Sequence, residues 1–462
     1  MLAFPSLSPA PSPAPATAPA PSRPPWAPLP PLRVGLLGVG TVGAGTSRVL
    51  LRNQALIRAR CGRDIELRMA AARNLPRARP LLGPEVELVA DAQRVVRHPQ
   101  IDVVVEAIGG CGDARTLVLD AIAHGKHVVT ANKALLALHG DEIFAAARQQ
   151  GVVVAFEGAV AVSIPIVKAL REGLAANRIE WLAGIINGTS NFVLSAMRER
   201  GWSFDTALRE AQRLGYAEAD PRFDVEGIDA AHKLTLLASM AFGMPLRFDV
   251  VAVEGITQLH AADVRHAEAL GYRIKLLGVA RRRAHGIELR VQPALLPEAC
   301  LLAGVNGAMN GVVVKSDAAG PTTYCGAGAG AEQTASAVIA DLVDVARLGS
   351  AAGASAVPAL GFEAAALQPQ ALLPLDAHIT GHYLRVPVTG DAAVFALLLD
   401  TLADHGLVVQ ANRDVADDAR GREIVLLTAE APLHVARGAV AAIAALPCVR
   451  SAPVRLSVEM LA

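Results

Sequence analysis

The stretch LRVGLLGVGTVGAG, residues 32–45, decides the fold class of this chain. A mostly apolar run typical of a buried strand leads directly into GVGTVG. In such a turn Gly38 permits a tight bend, Gly40 lets the backbone approach a pyrophosphate, and Gly43 allows close packing of helix against strand. Thr41 and Val42 would open a helix whose N-terminus faces the anion. The stretch predicts dinucleotide binding, and a purely structural glycine turn is the alternative.

Further buried strands alternate with helical segments in the sequence that follows. They read IELRMAAAR (65–73), IDVVVEAIGG (101–110), KHVVTANK (126–133) and GVVVAFEGAV (151–160). Buried strands that alternate with helices indicate a parallel sheet with right-handed crossovers. The predicted fold class is therefore α/β, with a Rossmann-like dinucleotide-binding domain.

The remaining chain divides by texture. Residues 161–324 show longer helices among fewer strands, which predicts an α+β catalytic or dimerisation domain. An Ala/Gly/Pro-rich linker at 351–376 precedes a separate small domain of βαββαβ order at 377–462. Residues 1–31 hold twelve of the 29 prolines, so we expect a disordered tail there that builds no core.

Composition gives no support for several classes of protein. Lys plus Arg and Asp plus Glu both total 43, so nothing favours a nucleic-acid partner or an anionic membrane. The five cysteines lie far apart and form no CxxC pair, which predicts reduced thiols in a cytoplasmic protein. We expect no membrane span, because no apolar run of 18 residues lacks charges and breakers.

Two positions bear on the cofactor and its surroundings. The acid expected after the second strand is replaced by Arg73 and Asn74, and an arginine there favours NADP over NAD. Arg73 as an ordinary surface residue is the alternative. Lys133 ends TANK at the carboxyl edge of the predicted sheet, where ligands of such sheets bind. A solvated lysine in a turn explains that motif equally well.

GYAEADPRFDVEGIDAAHKL, residues 215–234, concentrates acids before an apolar helix. Asp229 and Lys233 are spaced i, i+4, which predicts that they share one helix face. From the residues alone, a simple helix-stabilising pair and an acid–lysine site remain open. We expect His232 at the surface or rim, and Asp220 and Glu226 in structural or solvated positions.

Taken together, the motifs resemble the homoserine dehydrogenase family over about residues 33–350. The resemblance is carried by VGLLGVGTVG, VVVEAIGG, GKHVVTANKALLALHG, GIINGTSNFVLSAM, GYAEADPRFDVEGIDAAHKL, GYRIKLLGVA and GAGAGAEQTASAVIADL. NGTSNF and the AEADP run are the most specific of these. The C-terminal unit resembles the ACT domain that many bacterial members carry.

The resemblance implies reversible NAD(P)H-dependent reduction of aspartate 4-semialdehyde to homoserine, toward threonine and methionine. It implies that Lys233 exchanges a proton with the substrate oxygen, while Lys133 lies beside the nicotinamide and helps hold that oxygen. Glu218 would bind the substrate ammonium, and Asp224 and Asp229 would order the hydroxyl and its water.

The resemblance also extends the cofactor site and the assembly. Gly109 and Gly328 would contact the cofactor together with the residues of the glycine turn. GAGAGAEQ would return the chain to the cofactor, so that the dinucleotide domain is discontinuous, 32–160 plus 325–350. The implied assembly is a homodimer or homotetramer. A threonine effector is implied at the ACT-like domain.

Three segments depart from the family pattern. The loop FEGAVAVSIP has Val162 and Ser163 where two glycines are usual, and its Glu157, Val160, Val162 and Ile164 match backbone sodium ligands of family members. A β-branched residue there is harmful if positive φ is required. PEACLLAGVNGAMNG replaces the usual HP.A segment, and VTGDAAVFAL around Asp391 lacks the usual Asp-x-Pro-Gly turn.

These departures keep two other readings open. One is a diverged paralogue that binds a dinucleotide or an amino acid as a regulatory protein. The other is a different NAD(P)-dependent amino-acid dehydrogenase on the same fold, which NGTSNF and AEADP disfavour.

Overall fold

The computed structural model describes residues 29–348, 357–390, 393–417 and 421–461. The predictions for the tail through residue 28, for the linker at 351–356 and for Asp391 lie outside the described residues. Within them the chain builds two sheets, one of six strands and one of ten.

The first sheet confirms the predicted Rossmann-like α/β fold. Its strands are β1 (Leu32–Leu37), β2 (Ile65–Ala71), β3 (Glu87–Val89), β4 (Val103–Glu106), β5 (His127–Thr130) and β6 (Val154–Ala155). All pairs are parallel, in the order β3-β2-β1-β4-β5-β6. From β1 the next two strands, β2 and β3, extend the sheet to one side, whereas β4, β5 and β6 extend it to the other. Ligands of such sheets bind at this switch in strand order, outside the carboxyl ends of the strands.

Helices connect these strands and cover the sheet. They are α1 (Thr41–Arg52), α2 (Gln54–Cys61), α3 (Leu75–Ala78), α4 (Ala92–Val96), α5 (Gly112–Ala123) and α6 (Lys133–Gln150). Val34 and Leu36 of β1 are fully buried with Val103 and Val105 of β4 in one apolar core. The strand predicted at 151–160 is much shorter than expected, because a 3-10 turn begins at Glu157.

The next segment holds more strand than its sequence suggested. Its elements are α7 (Ile166–Lys168), β7 (Ile179–Ile185), α8 (Gly188–Arg200), α9 (Phe204–Arg213), α10 (Arg222–Val225), α11 (Ile228–Phe242), β8 (Ala252–Val253), α12 (Ala261–Ala269), β9 (Tyr272–Arg283), β10 (Gly286–Pro297), β11 (Met309–Ser316) and β12 (Gly320–Ala327). Both β9 and β10 are buried along most of their length, so neither shows the alternation by which a half-buried strand is recognised.

One long helix, α13 (Ala331–Leu348), returns the chain to the first sheet. Its Ala335, Val338 and Leu342 are buried in the same core as β1. A Cβ added to Gly45 of α1 would overlap the carbonyl of Ala331, so glycine is what lets the two helices approach this closely.

The C-terminal segment has the predicted βαββαβ order. Its elements are β13 (Ile379–Val388), α14 (Ala393–Asp404), β14 (Val409–Asp417), β15 (Gly421–Pro432), α15 (Leu433–Ala444) and β16 (Val454–Val458). The strand order β16-β13-β15-β14 is a ferredoxin-like arrangement. The segment has an apolar core of its own, which includes Leu384, Leu398, Leu426 and Ala439.

That segment is nevertheless continuous with the sheet formed by β7 to β12. Strand β16 pairs in parallel with β10, through Ala294–Ser457 and Leu295–Val458. The ten-stranded sheet therefore runs through both segments, with β12 and β14 at its edges. Among the described residues, no helix combines the length and apolarity that crossing a membrane requires.

Candidate functional site

The glycine turn after β1 has the geometry that a pyrophosphate needs. Gly38 has φ +91°, and a Cβ there would meet the carbonyl of Ala107 at 2.7 Å. A Cβ on Gly43 would overlap the carbonyl of Gly38, while one on Gly40 would meet no atom within 4 Å. Gly40, the N-cap residue of α1, has no side chain with which to satisfy the first amides of the helix. The segment thus fits an anion at a helix N-terminus.

Glu106 organises the facing loop, and sequence reasoning did not single it out. Its buried carboxylate accepts hydrogen bonds from the amides of Ile108 and Gly109, each at 2.9 Å. It also accepts a bond from the Thr130 hydroxyl at 2.6 Å. Gly109 itself has φ +73°, as a turn toward a ligand requires. The available signal was an acid at the end of the apolar run VVVE.

Arg73 lies exposed in the loop that follows β2, at the carboxyl edge of the sheet. The amide of Gly38 donates to the carbonyl of Ala71 at 3.0 Å, which ties the glycine turn to the end of that strand. Asn74 accepts a bond from the amide of Arg77 and caps α3. Arg73 is therefore on the same edge as the glycine turn.

Lys133 is the first residue of α6, directly after the carboxyl end of β5. Asn132 caps this helix by accepting from the amide of Leu135 at 3.1 Å, and it donates to the carbonyl of Gly110 at 2.7 Å. The Lys133 ammonium lies 3.1 Å from a carboxylate oxygen of Asp229. Its side chain is 32% exposed, so it remains accessible from the crevice.

The predicted pair of Asp229 and Lys233 is confirmed at the start of α11, and both side chains are buried. Lys233 Nζ donates to Asp229 Oδ2 at 2.6 Å and to the carbonyl of Ile186 at 2.7 Å. Since the other oxygen of Asp229 faces Lys133, one carboxylate joins two lysines from different domains. A helix-stabilising pair alone does not require the second lysine.

Asn187 connects this group to a second carboxylate. Its Nδ2 donates to Asp224 Oδ1 and to Asp229 Oδ2, each at 2.8 Å. Its Oδ1 accepts from the amide of Ser190 and caps α8. Asn187 lies in GIINGTSN, one of the segments that carry the family resemblance, but an Asn before a helix is also an ordinary cap, so nothing local distinguished this residue.

The electrostatics of the group favour a lysine that can lose its proton. Burial lowers the pKa of Lys233, and the positive charge of Lys133 lowers it further, while the carboxylate of Asp229 opposes both. Burial alone would raise the pKa of Asp229, but Lys233 and Lys133 hold it well below its usual range. Burial, with the negative charge of Asp229, raises the pKa of Asp224, and the bond from Asn187 opposes this.

His232 corrects an expectation from the sequence. We predicted it at the surface or rim, but it is buried. Its ring packs against Phe248 and Phe223, with centroids 4.4 and 5.5 Å away. Burial lowers the pKa of His232 to about 4, so the imidazole is neutral near pH 7. It supports α11 as an aromatic packing residue.

The other acids of the 215–234 stretch lie outside this group. Asp220 is exposed and bonded to Arg222, and Glu226 is exposed, as expected. Glu218 is also exposed, in the segment between α9 and α10. Thr189 donates to the carbonyl of Tyr216 at 2.6 Å, which fastens that segment to the loop that carries Asn187.

In the loop at 157–164 the positive φ angle is at a different residue from those that the sequence analysis considered. Among the described residues, Ala161 is the one non-glycine with positive φ, at 54°, so Val162 and Ser163 do not carry the conformation for which glycine would be needed. The Glu157 carboxylate accepts from the amides of Val167 and Lys168 at 3.0 Å. A cation at this loop would therefore be bound by backbone carbonyls.

Gly328 lies between β12 and α13, where a Cβ would overlap the side-chain amide of Asn310. The segment leads into α13, whose first residue Ala331 packs against Gly45 of α1, the helix that follows the glycine turn. The structure thus brings the Gly328 segment back to the dinucleotide domain, while Lys133, Asp229 and Lys233 meet where that domain joins the next one.

Comparison with known proteins identifies the family of the chain. The family described as "Homoserine dehydrogenase, NAD binding domain" matches residues 38–157, and the family described as "Homoserine dehydrogenase" matches residues 165–343. The homoserine dehydrogenase of Pseudomonas aeruginosa is 53% identical over 433 residues, 93% of this chain and 99% of that protein. That of Neisseria gonorrhoeae is 48% identical over the same shares.

A solved structure shows the same similarity in three dimensions. The crystal structure of a homoserine dehydrogenase from Thiobacillus denitrificans superimposes with a TM-score of 0.89 at 55% sequence identity. The alignment covers 94% of this chain and 99% of that one. With an NAD(P)-binding domain, a lysine–aspartate–lysine group at its edge and these relatives along nearly its whole length, the chain belongs to the homoserine dehydrogenase family.

Proposed function

We propose that this chain reduces L-aspartate 4-semialdehyde reversibly to L-homoserine, with Lys233 as the residue that exchanges a proton with the substrate oxygen. The observation that carries the proposal is the contact of Lys133 and Lys233 with one carboxylate, Asp229, at the edge of the dinucleotide domain. A bound nicotinamide cofactor supplies or accepts the hydride. The protein must then manage the charge that develops on the oxygen.

The two lysines divide that task. In the reduction direction Lys233, when protonated, donates a proton to an oxygen that becomes alkoxide-like as the carbonyl is reduced. In the oxidation direction neutral Lys233 accepts the hydroxyl proton. Its lowered pKa makes that neutral form accessible at a lower pH than for an ordinary lysine. Lys133 holds the oxygen, and Asp229 fixes the positions of both ammonium groups.

Substrate binding is assigned to the acids around Asn187. Glu218 has the charge and the exposure to bind the substrate ammonium, on a segment fastened to the Asn187 loop. Asp224 and Asp229, held by Asn187, order the hydroxyl and its water.

The cofactor proposal is NADP in preference to NAD. Its support is Arg73, exposed at the carboxyl edge of the sheet beside the glycine turn, where a 2′-phosphate would need a cation. Gly38, Gly40, Thr41, Val42, Gly43, Gly109 and Gly328 are the proposed cofactor contacts, together with Lys133. The assay below, run with both cofactors, tests this preference.

We extend the proposal to four further properties. A sodium ion is bound by the backbone carbonyls of Glu157, Val160, Val162 and Ile164. The rate of homoserine oxidation, measured with sodium and with choline in its place, tests this site. Threonine binds at the ACT-like unit, 377–462, within a homodimer or homotetramer. The location is cytoplasmic. The five cysteines, from Cys61 to Cys448, are all free, which is consistent with a reducing compartment.

Replacing Lys233 by Ala tests the central role. We expect the rate of NADP reduction with L-homoserine at alkaline pH to fall by about 10²- to 10⁴-fold, because the general base is lost. Lys315→Ala, in β11 outside the site, serves as the matched control and keeps the wild-type rate. Equal rates in wild type and Lys233→Ala would remove the role of Lys233. A folded but inactive wild type would instead favour a diverged regulatory paralogue.

A further inference from the structure

Asn310 is a fully buried amide that the protein leaves without hydrogen bonds. It lies in β11 with no exposed surface, and neither its Oδ1 nor its Nδ2 has a partner within the described protein. Buried polar side chains are nearly always hydrogen-bonded, and an unbonded one is costly. Since both atoms are unpaired, exchanging the assigned oxygen and nitrogen would not change this observation.

The position of Asn310 relates it to the catalytic lysine. Strand β11 pairs with β7 in a register that joins Gly311 to Ile185, and one step further places Asn310 opposite Ile186. The carbonyl of Ile186 accepts the hydrogen bond from Lys233 Nζ. Asn310 therefore lies on the strand next to the one that holds the catalytic ammonium.

The other side of Asn310 is the Gly328 segment. Its backbone pairs with Gly326 of β12, and its side-chain amide lies against the Cα of Gly328, where any Cβ would overlap it. This segment leads into α13, which packs against α1 at Gly45. The Asn310 amide thus lies between the Ile186 residue, whose carbonyl binds Lys233, and the Gly328 segment, which leads toward α1.

We infer that the side-chain amide of Asn310 binds the carboxamide of the nicotinamide ring, an inference that rests on the proposed function. A primary amide offers an oxygen acceptor and an NH₂ donor, and a carboxamide offers the same two groups in one plane. Two parallel N–H···O bonds would satisfy both unpaired atoms at once. They would also orient the ring so that its reactive face is directed toward the substrate beside Lys233.

Asn310→Leu tests the inference through equilibrium binding, without turnover. We expect the Kd of NADPH, measured by its fluorescence with the protein alone, to rise about tenfold from the loss of these bonds. The melting temperature of the ligand-free variant should equal or exceed that of wild type, because two unsatisfied polar atoms are removed. Asn310→Ala repeats the measurement in case leucine does not fit.

Asn177→Leu is the matched control, since its amide is bonded at both ends, to the carbonyl of Leu174 and the amide of Ala319, far from the site. It should melt at a lower temperature and bind NADPH as wild type does. An NADP analogue with an acetyl group in place of the carboxamide adds a chemical test. Wild type should bind it more weakly than NADP, and Asn310→Leu should not distinguish the two.

Three results would overturn the inference. One is an unchanged Kd for NADPH in both Asn310 variants. Another is continued discrimination against the acetyl analogue by Asn310→Leu. The third is an increase confined to the KM for homoserine, which would assign the amide to the amino-acid group of the substrate. Because NADPH binding needs no turnover, it still tests Asn310 if the wild type proves inactive with homoserine.

Discussion

At the scale of single residues, the chemistry of the site depends on how charges are shared around Asp229. One carboxylate contacts two ammonium groups and one amide, so the pKa values of Asp229 and Lys233 depend on each other. Lys133 lowers the pKa of Lys233, and Asp229 raises it. The pH range in which Lys233 can accept a proton is therefore set by its neighbours as well as by its burial.

Lys133→Met should move the pH–rate profile of homoserine oxidation toward higher pH. In the proposed mechanism oxidation requires neutral Lys233, so the rate should rise as pH passes the pKa of that lysine. Removing the neighbouring positive charge raises this pKa, which shifts the rising limb to alkaline values. The measurement is kcat as a function of pH. The pH of the rising limb is compared between variant and wild type, because the size of kcat should also fall when Lys133 no longer holds the oxygen.

Asp229→Asn provides the comparison of opposite sign. Loss of its negative charge lowers the pKa of Lys233, so the rising limb should shift toward acid pH. Profiles that coincide with wild type in both variants would show that a different group controls the reaction.

At the scale of elements, the strand–turn–helix unit β1–α1 depends on contacts that leave no room for a side chain. The helix begins directly after the turn, and Gly43 lies against the carbonyl of Gly38. Close approach of helix and turn directs the first amides of α1 outward, where a pyrophosphate would accept their hydrogen bonds. The close packing of Gly43 against Gly38 therefore also supports the proposed pyrophosphate site.

Gly43→Ala should lower both stability and dinucleotide affinity. Its Cβ overlaps the Gly38 carbonyl, and such overpacking typically costs about 1–3 kcal/mol in the free energy of unfolding. Denaturant unfolding and NADPH titration measure the two effects. Gly173→Ala is the control, because a Cβ there meets no atom within 4 Å. Wild-type affinity in Gly43→Ala would show that the turn does not adjoin the cofactor.

At the scale of the whole molecule, buried ionic contacts join the C-terminal unit to the catalytic sheet. Asp263 of α12 accepts hydrogen bonds from Arg385 Nε at 2.7 Å and from the Tyr383 hydroxyl at 3.0 Å. Arg290 of β10 is 1% exposed and contacts the carboxylates of Glu288 and Glu459. With β16 paired to β10, these contacts make the unit part of one continuous structure rather than a freely detached module.

Glu459→Gln should destabilise the protein by about 3 kcal/mol in the free energy of unfolding. Breaking a buried ion pair leaves Arg290 with part of its charge uncompensated in a medium that solvates it poorly. Urea unfolding measures the change. Glu87→Gln, which breaks the exposed pair with Arg94, should change stability little. Equal small effects in both variants would contradict a structural role for the buried network.

The sequence by itself determined the local features. The Gly38–Gly43 turn, the alternation of strands and helices in the first sheet, and the shared face of Asp229 and Lys233 all follow from glycine conformation and from helical or strand periodicity. Tertiary structure alone decided the contact of Lys133 with Asp229, the burial of His232, the bridging by Asn187, the unpaired amide of Asn310 and the joining of β10 to β16. Periodicity encodes which residues share a face, whereas distances between remote segments depend on packing and burial across the whole molecule.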